Sequence, residues 1–127
     1  MKMRKIVAIV AAALMLFSIL PISAMAAVGE YELVTDVANL AAGDQIIIVA
    51  AEENYAMSTT QQTNNRTSAS ITKSSDKSTI SSVGTSVQVI TVEAGTSSGS
   101  FAFKVPNGYL YAASTSKNYL KTKTAKD

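Results

Sequence analysis

Between residues 58 and 100 about half of the side chains are serine or threonine, and the apolar residues among them come singly or in one short run: Ile71, Ile80, Val83 and the stretch SVQVITVEA. Uninterrupted, that composition would describe a disordered linker. Interrupted at these intervals, and with threonine itself well suited to a pleated surface, it predicts short strands joined by polar loops.

The flanking segments carry clearer signals of the same kind. In YELVTDVANLAAGDQIIIVAA a short extended piece at residues 31–34 is followed by Asp36, placed to cap one helical turn carrying Val37 and Leu40, and Gly43-Asp44 ends that turn. Residues 45–51 are apolar, rich in β-branched side chains and too short for a typical helix, so they read as a strand. Ile47 and Val49 are apolar where alternation would put polar residues, so both faces should be covered and this strand should lie at the centre of the fold. Glu52-Glu53-Asn54 turns the chain, and residues 55–59 return with Tyr55 and Met57 on one face, Ala56 and Ser58 on the other. The clearest hairpin is SGSFAFKVPNGYLYAAS: Phe101, Phe103 and Val105 share a face, and Pro106-Asn107-Gly108 reverses the chain, Asn-Gly supplying positive φ angles. Tyr119-Leu120 then opens a last strand that reaches Asp127 without a partner.

The first residues have a different character. Lys2, Arg4 and Lys5 precede an uncharged apolar run at residues 6–20, then Pro21 and the small-residue triplet Ala24-Met25-Ala26, the order of a secretory signal peptide cleaved after Ala26. Fifteen apolar residues fall short of the roughly 20 that span a bilayer as a helix, so no stable membrane span is expected after cleavage. Removal of three basic residues leaves eight against nine acidic ones, so the net charge of +2 becomes −1. A chain near neutrality without a Lys/Arg cluster lacks the footprint of nucleic-acid binding. Lys117, Lys121, Lys123 and Lys126 are assigned to a solvated strand face. The domain organisation expected is a signal peptide, helical, at 1–26, then one all-β module at 27–127.

Each Tyr-Leu or Tyr-Ala pair that follows a turn residue, in NYAMSTT, NGYLYAAS and KNYLKT, resembles the hairpin repeat of β-trefoils and related small barrels, of which two lobes can be counted here. Taken with YELVTDVANLAAGDQIIIVAA and FAFKV, the residues from Tyr31 to Lys123 resemble an accessory β-module of large secreted bacterial proteins, where it stands beside Ig-like repeats, nuclease domains or sugar-processing domains. In such modules the pattern continues past the NYLKT strand, so the resemblance implies the front of a longer protein. It carries no catalytic residue.

Chemistry is limited by what is missing. There is no Cys and no His, hence no disulfide, thiolate site, imidazole cluster or Ser-His-Asp triad. Paired carboxylates could still act on glycosides, but Asp36 and Asp44 stand at cap and turn positions, Glu52 and Glu53 in a loop, and Glu93 at a strand end. No Asp-rich calcium loop occurs, and no cofactor is expected. The candidate site is instead a binding one. Gln61, Gln62, Asn64, Asn65 and Arg66 concentrate amide and guanidinium groups that match sugar hydroxyls, and Tyr55, Tyr109, Tyr111 or Tyr119 could offer a ring for stacking. The competing assignment is a polar loop whose Asn side chains hold turns and whose Arg66 pairs locally. Asn65-Arg66-Thr67 also matches the glycosylation sequon, a pattern frequent by chance.

The sequence therefore leads to an exported, non-enzymatic, all-β module, a small antiparallel barrel or trefoil-like fold incomplete at its C-terminal end, secreted or held at the cell surface. It would bind an extracellular glycan, or else serve as a spacer that docks on an adjoining domain through residues 45–51 and its last strand.

Overall fold

The computed structural model describes residues 1–3 and 30–126. Among them there is no α-helix, and the all-β class is as expected. In chain order the strands are β1 (Lys2–Met3), β2 (Tyr31–Glu32), β3 (Gln45–Ile46), β4 (Tyr55–Gln61), β5 (Arg66–Ser70), β6 (Thr79–Ile80), β7 (Ile90–Ala94), β8 (Phe101–Val105), β9 (Gly108–Ala112) and β10 (Leu120–Lys123). Eight of them form one sheet in the order β10-β9-β8-β7-β3-β1-β2-β6, and β4 and β5 form a separate hairpin; every ladder is antiparallel.

Local chemistry sets the connections. Asp36 accepts the Ala38 amide at 2.9 Å and so caps a single 3-10 turn, Val37–Asn39, while Asp44 accepts the Ala41 amide at 2.8 Å. Gly43 follows with a positive φ of 97°. At the β8–β9 reversal Val105 pairs with Gly108, so Pro106 and Asn107 are the turn, and Gly108 alone carries a positive φ. Asn107 does not share it: Pro106 and Asn107 take the two central positions of the turn, and the positive φ falls on the residue after them. A Cβ at Gly108 would also run into the Lys123 carbonyl, so this glycine lets β10 lie close.

The apolar run at 45–51 is not one strand. Residues 45 and 46 pair with β7, and Lys2 pairs with Ile46 from the other side, which makes β3 interior to the large sheet. Residues 48–50 instead pair with β4, through Met57 N–H to Ile48 O at 2.8 Å, Ala50 N–H to Tyr55 O at 2.9 Å and a bridge between Val49 and Ala56. The run thus leaves one sheet for the other, which is why both of its faces are covered at the crossing. Ile46 packs with Ile90, Val92 and Val105, and Ile47 packs in a second cluster with Met1, Tyr31, Ile80 and Val87. Burying each of these branched or aromatic side chains stabilises the fold by about 1.5–3 kcal/mol.

Two expectations change. The large sheet does not close into a barrel: its ends are β10 and β6, and no ladder joins them among the described residues. Closure needs tilted, staggered strands. In one half of this sheet β1, β2, β3 and β6 have two residues each, too short to supply that stagger. Nor do the described residues form a trefoil-like arrangement: they make one open sheet and a separate hairpin. The helix expected for the signal peptide lies outside the described residues except for 1–3, and these contribute a strand, with the terminal ammonium of Met1 donating to Ile47 O at 3.1 Å and Ile47 N–H to Met1 O at 3.3 Å.

Candidate functional site

The amide-rich loop is the tip of the β4–β5 hairpin. Gln61 pairs with Arg66, and Gln62 N–H donates to Asn65 O at 2.7 Å, closing the loop over Thr63 and Asn64. The side chain of Gln61 turns inward on its own loop, its Nε2 donating to Gln62 O at 2.7 Å and Asn65 O at 3.0 Å, and to Leu120 O at 3.3 Å. Leu120 N–H in turn donates to Asn64 O at 2.9 Å and Asn65 Oδ1 at 3.3 Å. The loop is therefore fastened onto the first residue of β10, some 55 residues away in sequence. Gln61 and Asn65 spend amide groups on that fastening, as the competing assignment has it, whereas residues 61–65 together line an open hollow of about 670 Å³.

Arg66 has a comparable duty. Its Nη1 donates to Gln88 Oε1 at 2.8 Å, Thr59 O at 3.2 Å and Ser58 O at 3.4 Å, and its Nη2 to Thr122 Oγ1 at 2.8 Å. One planar fork so ties β4, the segment before β7 and β10 together, a task for which guanidinium geometry is suited. Burial lowers its pKa from the ordinary arginine value, and Nε is buried without a partner among the described residues. Of the candidate residues it is the one committed most fully to the fold.

The tyrosines divide three to one. In an antiparallel ladder directly paired residues lie on the same face. Lys104 pairs with Tyr109, Tyr109 with Lys123, and Tyr111 with Lys121, so these five side chains share the outward face of β8, β9 and β10. The opposite face carries Phe103, Val105 and Leu110 toward the core. Tyr119, just before β10, joins the outward group: the ammonium groups of Lys117 and Lys121 lie 5.6 and 5.9 Å from its ring centroid, and that of Lys123 lies 4.9 Å from the ring of Tyr111. Tyr109 donates its hydroxyl to Glu93 Oε2 at 3.0 Å. Glu93 also meets Lys104 at 3.1 Å and Lys126 at 3.4 Å, and these partners, Lys104 first and then Tyr109, lower its pKa. Tyr55 is not part of this group. It is exposed at the far end of β4, six residues or about 20 Å from Gln61.

The structure thus brings Tyr109, Tyr111 and Tyr119 to one face, and fastens the loop of Gln61, Asn64 and Asn65 beside Tyr119. Sequence reasoning put Lys117, Lys121 and Lys123 on a solvated strand face but did not show that Tyr109, Tyr111 and Tyr119 share it. Alternation within YLY and YLKTK marks which residues share a face of their own strand, but only the register between β9 and β10 interleaves the two sets. Elsewhere, Leu33, Val37 and Ile48 are exposed beside an apolar hollow of about 310 Å³ that Met1, Leu40 and Ile46 also line. No helix among the described residues is long and apolar enough to cross a membrane.

Comparison of the chain with protein-family models, with curated proteins and with solved structures gives no match.

Proposed function

We propose that the chain is a non-catalytic accessory module of an exported protein, and that it binds an extracellular glycan. The observation that carries this reading is the meeting of two elements distant in sequence: the amide-rich loop 61–65, which lines a hollow, is hydrogen-bonded to Leu120 at the edge of the strands that bear Tyr109, Tyr111 and, one residue before Leu120, Tyr119. Amides match the paired donor and acceptor character of sugar hydroxyls, and aromatic faces take the apolar side of a pyranose. Export is supported by the basic, apolar and small-residue order of the first 26 residues. A barrel or trefoil completed by further strands remains the proposal for a longer chain.

The test is retention on polysaccharides in affinity gel electrophoresis. Tyr111→Ala and Tyr119→Ala should each weaken retention by about tenfold, the equivalent of about 1.4 kcal/mol. Tyr55→Ala should leave it unchanged. Retention that survives both of the first two substitutions contradicts the reading.

A second reading, a docking domain without a small ligand, is favoured by the exposed apolar patch of Leu33, Val37 and Ile48. It predicts that Val37→Ser with Ile48→Ser abolishes association with an adjoining domain while leaving polysaccharide retention intact.

A further inference from the structure

We infer that the outward face of β8–β10 is built for an acidic polysaccharide, a chain of carboxylate-bearing sugars, in preference to a neutral one; this rests on the glycan reading and narrows it.

Charge on the chain is unevenly placed. From Ala94 to Lys126 there is no acidic residue, while Lys104, Lys117, Lys121, Lys123 and Lys126 fall in that segment. The register puts Lys104, Lys121 and Lys123 on one face, and Lys117 reaches it over Tyr119. Among the described residues Glu93 meets two of these lysines, Lys104 and Lys126, and accepts the Tyr109 hydroxyl. Against these five ammonium groups the sequence sets Glu93 and, after Lys126, Asp127, so the segment keeps a net positive charge, whereas the chain outside the first 26 residues is close to neutral.

The ring contacts choose between ligand classes. Lys123 lies over Tyr111, and Lys117 and Lys121 lie over Tyr119. A neutral sugar stacking on those rings has to displace the ammonium groups and forms no ion pair with them in return. A sugar carboxylate meets the ammonium already at the ring, so that the apolar side of its pyranose and its charge are satisfied at neighbouring points. Such a cation–ring contact is worth only about 0.5–1 kcal/mol at an exposed site, so Lys117 and Lys121 can move from ring to ligand at small cost. Lys121 and Lys123 are two residues apart on one strand, about 7 Å, which offers successive charges to a polymer lying along β10.

The experiment uses the full chain in gels containing polygalacturonate, its fully methyl-esterified form as the neutral counterpart, or neither, with a short DNA duplex as a second polyanion. The expected result is retardation by polygalacturonate alone, weakening as salt is raised from about 0.05 to 0.5 M. Lys121→Gln with Lys123→Gln should weaken it at least about tenfold, and Lys121→Arg with Lys123→Arg should retain it. A urea midpoint unchanged in the Gln variant separates lost charge from lost fold. Equal retardation by the esterified polymer, unaffected by the Gln pair, overturns the charge inference and leaves the glycan reading standing. Equal retardation by DNA overturns it in favour of an unselective polyanion surface. No retardation by either polysaccharide removes both.

Discussion

Arg66 illustrates how one residue type serves two ends that a sequence cannot separate. An arginine beside Gln61, Asn64 and Asn65 has the chemistry of a sugar-binding side chain, yet its guanidinium is spent on Gln88, Thr122 and the β4 carbonyls. Gln88 is almost wholly buried, so removing its partner strands a polar group in the interior. Arg66→Ala should therefore lower stability by about 1–3 kcal/mol, read as a lower urea midpoint. A variant of unchanged midpoint that loses ligand would reverse the assignment. Asp76 gives the pH counterpart. The Ser74 hydroxyl, then the hydroxyl and amide of Ser78, hold its carboxyl down to about 2 from an ordinary 3.8. Because the folded value is the lower one, its stabilisation is complete above about pH 4 and is lost as pH falls from there through about 2. Glu52, lowered by Lys77, and Glu93 act in the same direction. The urea midpoint should fall over that acid window, and Asp76→Asn should flatten part of the fall; a slope untouched by the substitution would contradict this.

Strands were legible where the chain alternates between turn signals, as in β4, β8 and β9, because a face pattern and a reversal are both local properties. Partners were not. Nothing within SVQVITVEA says that β7 lies beside β3, nor that the run at 45–51 changes sheets at Ile47, since both depend on contacts made far away in sequence. The Tyr–Lys face was illegible for the same reason. The least expected element is β1, which sits between β2 and β3 although residues 1–3 read as the start of a leader. Cleavage after Ala26 would take away the partner of both strands, and with it the carbonyl that accepts the Ile47 amide. A chain beginning at Ala27 should then exchange the Ile47 amide proton faster, and unfold at lower urea, than the 127-residue chain. Equal protection in the two would mean that β1 adds nothing to the sheet.

Across the described residues the proposed binding face and the apolar patch occupy different regions. Tyr109, Tyr111, Tyr119 and their lysines lie on the terminal strands of the open sheet, with the β4–β5 loop fastened alongside, while Leu33, Val37 and Ile48 surround the hollow near β1 and β3. An accessory module that holds a polymer with one region and a neighbouring domain with the other would use both. The same layout lets the two functional readings be told apart by location alone. The decisive measurement is residue-resolved NMR titration of the chain with trigalacturonate. The account predicts amide shifts at residues 61–65, 104, 109–111 and 119–123, with 33–49 unmoved. Shifts confined to the apolar patch, or no shifts at saturating oligosaccharide, would contradict it.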